Sequence, residues 1–180
     1  MPLDQIYQPE SGILSIAVWG YVSDVELDEA RDASAQLFVK MLPTVVYFDL
    51  RLVIDYPEIY PRCVRFLNFA NGAAEVAGRT LPILISAPFG SLGHSIGRVY
   101  LSQSVVSPFI SVELVEDVVT ACDRLRRLTG SGGCCPVHHV TGEGTAPAAS
   151  CLCAVCPIAG GRVISRVRAE PGGRPSTGER

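Results

Sequence analysis

Three groups of residues in this 180-residue chain have the types and spacing for chemistry. Gly93-His94-Ser95-Ile96-Gly97 fits G-x-S-x-G, the motif in which a serine stands on a strained turn between strand and helix and acts as an acyl-transfer nucleophile. A triad in that order would need Asp117 or Asp123 as the acid and then His138 or His139 as the base. Cys135-x2-His138 and Cys153-x2-Cys156, fourteen residues apart, form two knuckles with the donor types of a tetrahedral zinc site. The loop Ala87–Gly93 offers Gly90, Ser91 and Gly93 as free amides for an anion, with His94 next to it. It follows an apolar strand, and in open α/β sheets ligands favour the carboxyl ends of strands.

The elements that must hold these residues alternate along the chain. Gln5–Gln8 and Ile13–Val22 read as strands joined by the turn Pro9-Glu10-Ser11-Gly12. In the second strand Leu14, Ile16 and Val18 take one face and Ile13, Ala17 and Trp19 the other, so both faces are covered. Ser23-Asp24-Val25-Glu26 is a capping box, and Leu27, Ala30, Ser34, Leu37 and Met41 follow at helical spacing, with Phe38 beside them. A strand Val45–Leu50 comes next. A helix then starts between Pro57 and Pro61, with Cys63, Phe66, Leu67, Ala70 and Ala74 as its apolar stripe and Gly78 at its end. Leu81–Ser86 is a buried parallel strand, 91–104 a helix, Phe109–Glu113 a last strand and Val115–Leu128 a last helix. That helix has Glu116 and Asp117 in its first turn and Arg124, Arg126 and Arg127 in its last, which complements the helix dipole.

This order predicts an α/β domain over 1–129. Its sheet is mostly parallel, of about five strands, with an N-terminal antiparallel hairpin and helices packed on it. Residues 130–180 are rich in Gly, Pro and Cys, hold five of the seven cysteines and show no sustained period, which predicts an irregular, disordered tail. The other two, Cys63 and Cys122, sit in amphipathic patterns as small buried hydrophobes. No internal repeat is present.

Against these elements the elbow loses its geometry. The strand stops at Ser86, with eight residues between it and Ser95, so Ser95 falls inside a helix and both triad histidines fall in the tail. The simpler reading makes the two glycines contact points between helix and strand, and Ser95 a small polar helix residue. For the zinc set, the intervening VTGEGTAPAAS supplies little apolar material for a mini-core.

Composition narrows the partners. A net charge of -3 gives no basic footprint for nucleic acid. No apolar run approaches the roughly 18 residues of a membrane span. MPLDQIYQPE carries an acid and no apolar core, unlike a signal peptide, so a cytoplasmic location is expected. The 48% apolar content allows for a surface that pairs, in a homodimer or with another protein.

GILSIAVWGYVSDVELDEA, VVYFDLRLVIDY, LPILISAPFGSLGHSIGRVY and FISVELVEDVVTACDRL resemble successive blocks of the SpoIIAA-like, or STAS-like, family, over about residues 5–128. The resemblance implies a small α/β domain with a four- or five-stranded sheet and a non-enzymatic regulatory or ligand-binding role. In the anti-sigma-factor-antagonist branch a strand-to-helix loop carries an Asp-Ser pair whose serine is phosphorylated to switch partner binding. Lining up that loop puts Asp55 at the aspartate and Tyr56 at the serine. A tyrosine hydroxyl lies several ångströms too far out for the same phosphate geometry at a helix N-terminus, so the switch is absent. The stretch FDLRLVIDYPE then reads as a connection in which Asp55 caps or orients the next helix.

The function expected is a regulatory or binding module, not an enzyme, with no cofactor, that takes a protein partner or a small apolar or anionic ligand. Asp55, Tyr56, Gly90, Ser91, Gly93 and His94 are its candidate contacts. The alternatives are a small serine hydrolase using Ser95 and a structural domain whose tail binds zinc through Cys135, His138, Cys153 and Cys156. Because the apolar pattern is complete by Leu128, a chain ending at Gly130 should keep a single cooperative melt. Loss of that transition on truncation would show that the tail belongs to the core.

Overall fold

A computed structural model describes residues 3–130 of the chain. Its elements are β1 (Leu3–Gln8), β2 (Ile13–Tyr21), α1 (Asp24–Lys40), β3 (Val45–Asp55), α2 (Ile59–Val76), β4 (Leu81–Ser86), α3 (Leu92–Ser104), β5 (Ile110–Val115) and α4 (Val118–Thr129). The five strands form one sheet in the order β1-β2-β3-β4-β5. β1 runs antiparallel to β2, from Leu3 opposite Val18 to Gln8 opposite Ile13, and the other neighbours are parallel. The expected α/β class, opening hairpin and parallel sheet are therefore observed.

Each parallel connection steps to the adjacent strand in the same direction. Crossovers of one hand then deliver their helices to one face of the sheet. Phe38 of α1, Cys63 and Leu67 of α2, and Ile96 and Tyr100 of α3 accordingly share a core with Ile16, Phe48 and Ile85. On the other face, among the described residues, α4 packs Ala121, Cys122 and Leu125 against Val45, Tyr47 and Leu84. β2 is covered on both faces as expected, since Leu14, Ile16 and Val18 join the first core while Ile13 and Ala17 are buried on the other side.

The helix starts follow local side-chain chemistry. Ser23 Oγ accepts the Glu26 amide N–H at 3.3 Å, and the Glu26 carboxylate accepts the Ser23 amide N–H at 3.0 Å, which completes the capping box. Ser91 Oγ accepts the His94 amide at 3.1 Å at the start of α3.

Several boundaries differ from the sequence expectation. β3 continues past Leu50 to Asp55, because β2 goes on pairing with it as far as Tyr21 opposite Asp55, through two register shifts that absorb extra residues. Asp55 is thus the end of a strand and does not cap α2. Its Oδ1 accepts the neighbouring Tyr56 amide at 2.9 Å, and the cap position belongs to Glu58, in a left-handed conformation with no side-chain cap bond. β5 extends to Val115, whose carbonyl accepts the Ala87 amide at 2.9 Å. Glu116 therefore precedes α4, and Asp117 is its N-cap, accepting the Thr120 amide at 2.8 Å.

α3 lies close to the sheet because two of its residues lack a β-carbon. A Cβ on Gly93 would overlap the backbone carbonyl of Leu50, and one on Gly97 would meet Leu114 Cδ1. A backbone carbonyl inside a sheet cannot move aside, whereas the end of a leucine can. Gly93→Ala should therefore cost about 1–3 kcal/mol by overpacking. Gly97→Ala should cost less, since the helix-propensity gain of roughly 1 kcal/mol offsets a small side-chain shift. Urea unfolding of both variants checks the order, and equal losses would refute it.

Candidate functional site

A concave site lies on the three-helix face, between α1, α2 and the sheet. The inward stripe of α1 is narrow at its middle, with Ala30 and Ser34 where larger side chains would fill the gap to the sheet. Gln5 spans part of it, donating from Nε2 to the Ala30 carbonyl at 2.8 Å and to Ser34 Oγ at 3.0 Å. What remains is a pocket, partly open to solvent, with about 60 Å³ of interior space.

Its floor is apolar, formed by Ile16 and Val18 of β2 and by an aromatic group on β3, α2 and α3. Phe48 lies 5.3 Å from both Phe66 and Tyr100, ring centre to ring centre, and Phe66 and Tyr100 are 6.0 Å apart. These rings hold one another edge-on or tilted, the favoured arrangement for aromatic pairs. Burial pushes the phenols of Tyr56 and Tyr100 above their ordinary value, so both stay protonated and can act as hydrogen-bond donors. Cys63, beneath them, is fully buried, and burial pushes its thiol up to about 12. It is a packing residue without thiolate character at neutral pH.

The mouth is charged and self-paired. Arg62 reaches from the start of α2 to the start of α1, placing Nη2 2.5 Å from Asp24 Oδ1 and Nη1 3.0 Å from Asp28 Oδ1. Asp28 also receives Arg31 at 3.2 Å. The hydrogen bond from Arg62 holds the Asp28 carboxyl below its ordinary value, against the opposing effect of desolvation. Arg31 also meets Asp32 at 2.9 Å, and Arg65 meets Glu58 at 3.3 Å. The Arg62 side chain is only 9% exposed, and its Nε–H has no hydrogen-bond partner.

The sheet's other face carries a second polar group. Asp49 and Arg51 form a two-point ion pair at 2.8 and 2.7 Å, on the same face as the buried hydroxyls of Ser15, Tyr47 and Ser86. Beyond them Tyr21, Leu52 and Ile54 are exposed at the ends of β2 and β3.

Of the residues singled out from sequence, only Tyr56 lines the pocket. Asp55 is exposed at the strand end. Gly90, Ser91, Gly93 and His94 lie together at the start of α3, where Ser91 Oγ also donates to the Pro88 carbonyl at 2.7 Å and His94 packs edge-on against Phe89. Ser91 is thus occupied as a cap. The expectation of a site there rested on the carboxyl end of a parallel strand, and β4 does end at Ser86, just before this loop. Gln5, Ser34 and Arg62 were not singled out as contacts. For Gln5 and Ser34 the signal was a polar residue on an inward position: Gln5 shares a strand face with Leu3 and Tyr7, and Ser34 interrupts an apolar stripe.

Ser95 lies within α3, exposed, with Oγ donating to the Ser91 carbonyl at 3.3 Å, one turn earlier. That is helix geometry, not a strained elbow. His138 and His139 and the zinc set Cys135, His138, Cys153 and Cys156 fall outside the described residues. Among the described residues no three His, Cys, Asp or Glu side chains cluster to hold a metal ion, and no helix is long and apolar enough to cross a membrane. Compared with known proteins, the chain matches no family model and no curated protein.

A hydroxyl that donates to a backbone carbonyl is not held against a base among the described residues. A fluorophosphonate probe should label neither the wild type nor Ser95→Ala, and the substitution should change stability by no more than a few tenths of a kcal/mol. Stoichiometric labelling that disappears in Ser95→Ala would restore the hydrolase.

Proposed function

We propose that the domain is a non-enzymatic binding module of the STAS-like kind that takes a small ligand in the pocket between α1, α2 and the sheet. The observation that carries this is the pocket itself: an apolar, aromatic floor beside a few convergent polar groups is the usual make-up of a small-molecule site. The fold and the block order of the sequence support the kinship. The phosphoserine switch has no counterpart, since Tyr56 occupies the serine position and buries its ring at the pocket wall. A protein partner is the second reading, favoured by exposed Tyr21, Leu52 and Ile54 on the opposite face of the sheet.

Filling the pocket should separate binding from folding. Ser34→Leu places an apolar side chain in the gap, keeps the Gln5 bond to the Ala30 carbonyl, and should hold or raise the melting temperature as a cavity is lost. A ligand-observed NMR screen of small molecules should give binders to the wild type that Ser34→Leu no longer takes. A bound ligand at about 100 times its Kd should stabilise the wild type by roughly 2.7 kcal/mol. Binders that persist unchanged in Ser34→Leu would place the site elsewhere.

A further inference from the structure

We propose that an uncharged stretch of the C-terminal segment, residues 144–161, folds back over β1 and β2 on the α4 face of the sheet. A disulfide from Cys122 to Cys151, Cys153 or Cys156 links it to α4. This surface is separate from the pocket, and its occupant is part of the same chain.

The first observation is burial with no described cover. Five strands about 4.8 Å apart make a sheet roughly 19 Å across between its outer strands, whereas a helix is about 10–12 Å wide with its side chains. One helix therefore covers about half of this face. α4 packs on Val45 and Tyr47 of β3, on Leu84 of β4 and on Val115 of β5, and on β2 it meets the first residue, Ile13. Farther along β2, Ser15 and Ala17 point to the same face, because side chains alternate along a strand. They are 1% and 2% exposed, and Ala17 belongs to neither of the two cores. Their neighbours across the ladder on β1, Ile6 and Asp4, are half-buried. Neighbours beside a small side chain do not close the space above it, and no element of residues 3–130 lies there.

The second is the bonding of Cys122. The sequence pattern marks it as a simple packing residue, but it is disulfide-bonded, while Cys63 is free. The other five cysteines all lie between residues 134 and 156. The helix sets the direction from which a partner comes. Arg124 Nε meets Glu113 Oε1 of β5 at 2.8 Å, which fixes that flank of α4 over β5. Cys122 lies about 200° round the helix from Arg124. It therefore looks to the other flank, toward β2 and the sealed Ser15 and Ala17, and Ile13 of β2 shares its cluster.

The third is the make-up of the occupant. No charged residue occurs between Glu143 and Arg162, and Leu152, Ala154, Val155 and Ile158 accompany Cys151, Cys153 and Cys156 there. Such a stretch can cover a sheet without burying a charge. Gly130 ends α4 on this same face, and the chain from there to Cys151, at up to about 3.3 Å per residue, reaches well beyond the width of the sheet.

The link closes by exchange with a small-molecule disulfide such as oxidised glutathione. A tail thiolate attacks it and releases one glutathione thiol, and the Cys122 thiolate then displaces the second. The two cysteines give up two protons and two electrons, and one glutathione disulfide becomes two thiols.

The experiment uses the full-length protein equilibrated with oxidised glutathione. Digestion with trypsin and a glutamate-specific protease, without reduction, followed by mass spectrometry should find the Cys122 peptide joined to the one that holds Cys151, Cys153 and Cys156. The cover is read separately from Trp19, the chain's single tryptophan, which is half-buried and follows Ala17 on the same side of β2. Leu152→Asp/Val155→Asp puts two charges into the cover. It should shift the Trp19 emission to the red and raise its quenching by acrylamide, with the far-UV circular dichroism unchanged. Val163→Asp/Val167→Asp, beyond the uncharged stretch, should do neither. A link to Cys134 or Cys135, no link, a Trp19 signal that Leu152→Asp/Val155→Asp does not move, or an equal response to both double variants would overturn the inference. None of these outcomes bears on the pocket.

Discussion

The unbroken order of the strands is the constraint from which the rest of the molecule follows. With β2 to β5 laid down side by side in chain order, every helical connection steps the same way and arrives on the same face. Three helices therefore share one face of the sheet, and α4, which follows the last strand, is left to cover the other. The same order removes the crevice that doubly wound sheets open where their strand order reverses. A concave site must then come from imperfect packing within the crowded face, and it does so where α1 presents alanine and serine to the sheet.

Arg62 closes that gap in a different currency from the core. α2 and α3 are fixed by full apolar stripes, whereas α1 buries only Leu27, Ser34 and Phe38. Its N-terminal half is tied to α2 through the Arg62 pairs with Asp24 and Asp28. Both carboxylates are about half exposed or more, so each pair contributes little by itself, on the order of 0–1 kcal/mol. The arginine stem is nonetheless buried, so it packs as well as pairs. α1 is in consequence the helix of this face held least by apolar contact, and it forms the pocket's outer wall. The site sits where the fold is least committed, as binding sites often do.

Much of this architecture could be read from the chain because local chemistry and tertiary packing agreed. Leu81–Ser86 is apolar throughout and flanked by breakers, and its observed bounds are those expected. Ser23 and Glu26 mark one helix start with two hydrogen bonds that need no distant partner. The misreadings occurred where distant pairing decided. In β3, Arg51, Leu52 and Ile54 are partly or wholly exposed and the ladder is bulged, so neither a clean alternation nor a buried run marks its continuation to Asp55. The end of β5 was likewise set by the Ala87 amide from across the sheet. The pocket was hidden for a related reason. Gln5, Ser34 and Arg62 lie on three elements, and only the packed sheet shows that one bond network joins the first two while the third spans to α1 from α2.

The G-x-S-x-G stretch shows how the same residues acquire a different meaning from their place in the fold. An elbow needs its serine on the strained residue between strand and helix; here the strand ends at Ser86 and a capped loop intervenes. The glycines then serve approach rather than strain. Gly93 lets α3 settle against the Leu50 carbonyl, and Gly97 lets it settle against Leu114. Ile96, between them on the inward side, is brought down with the helix, and together with Leu50 it lines the pocket. Ser95, on the outward side of the same turn, is left in solvent. The spacing that suggests a nucleophile thus fixes the height of α3 above the sheet, and through Leu50 and Ile96 it sets the depth of the floor on which a ligand would rest.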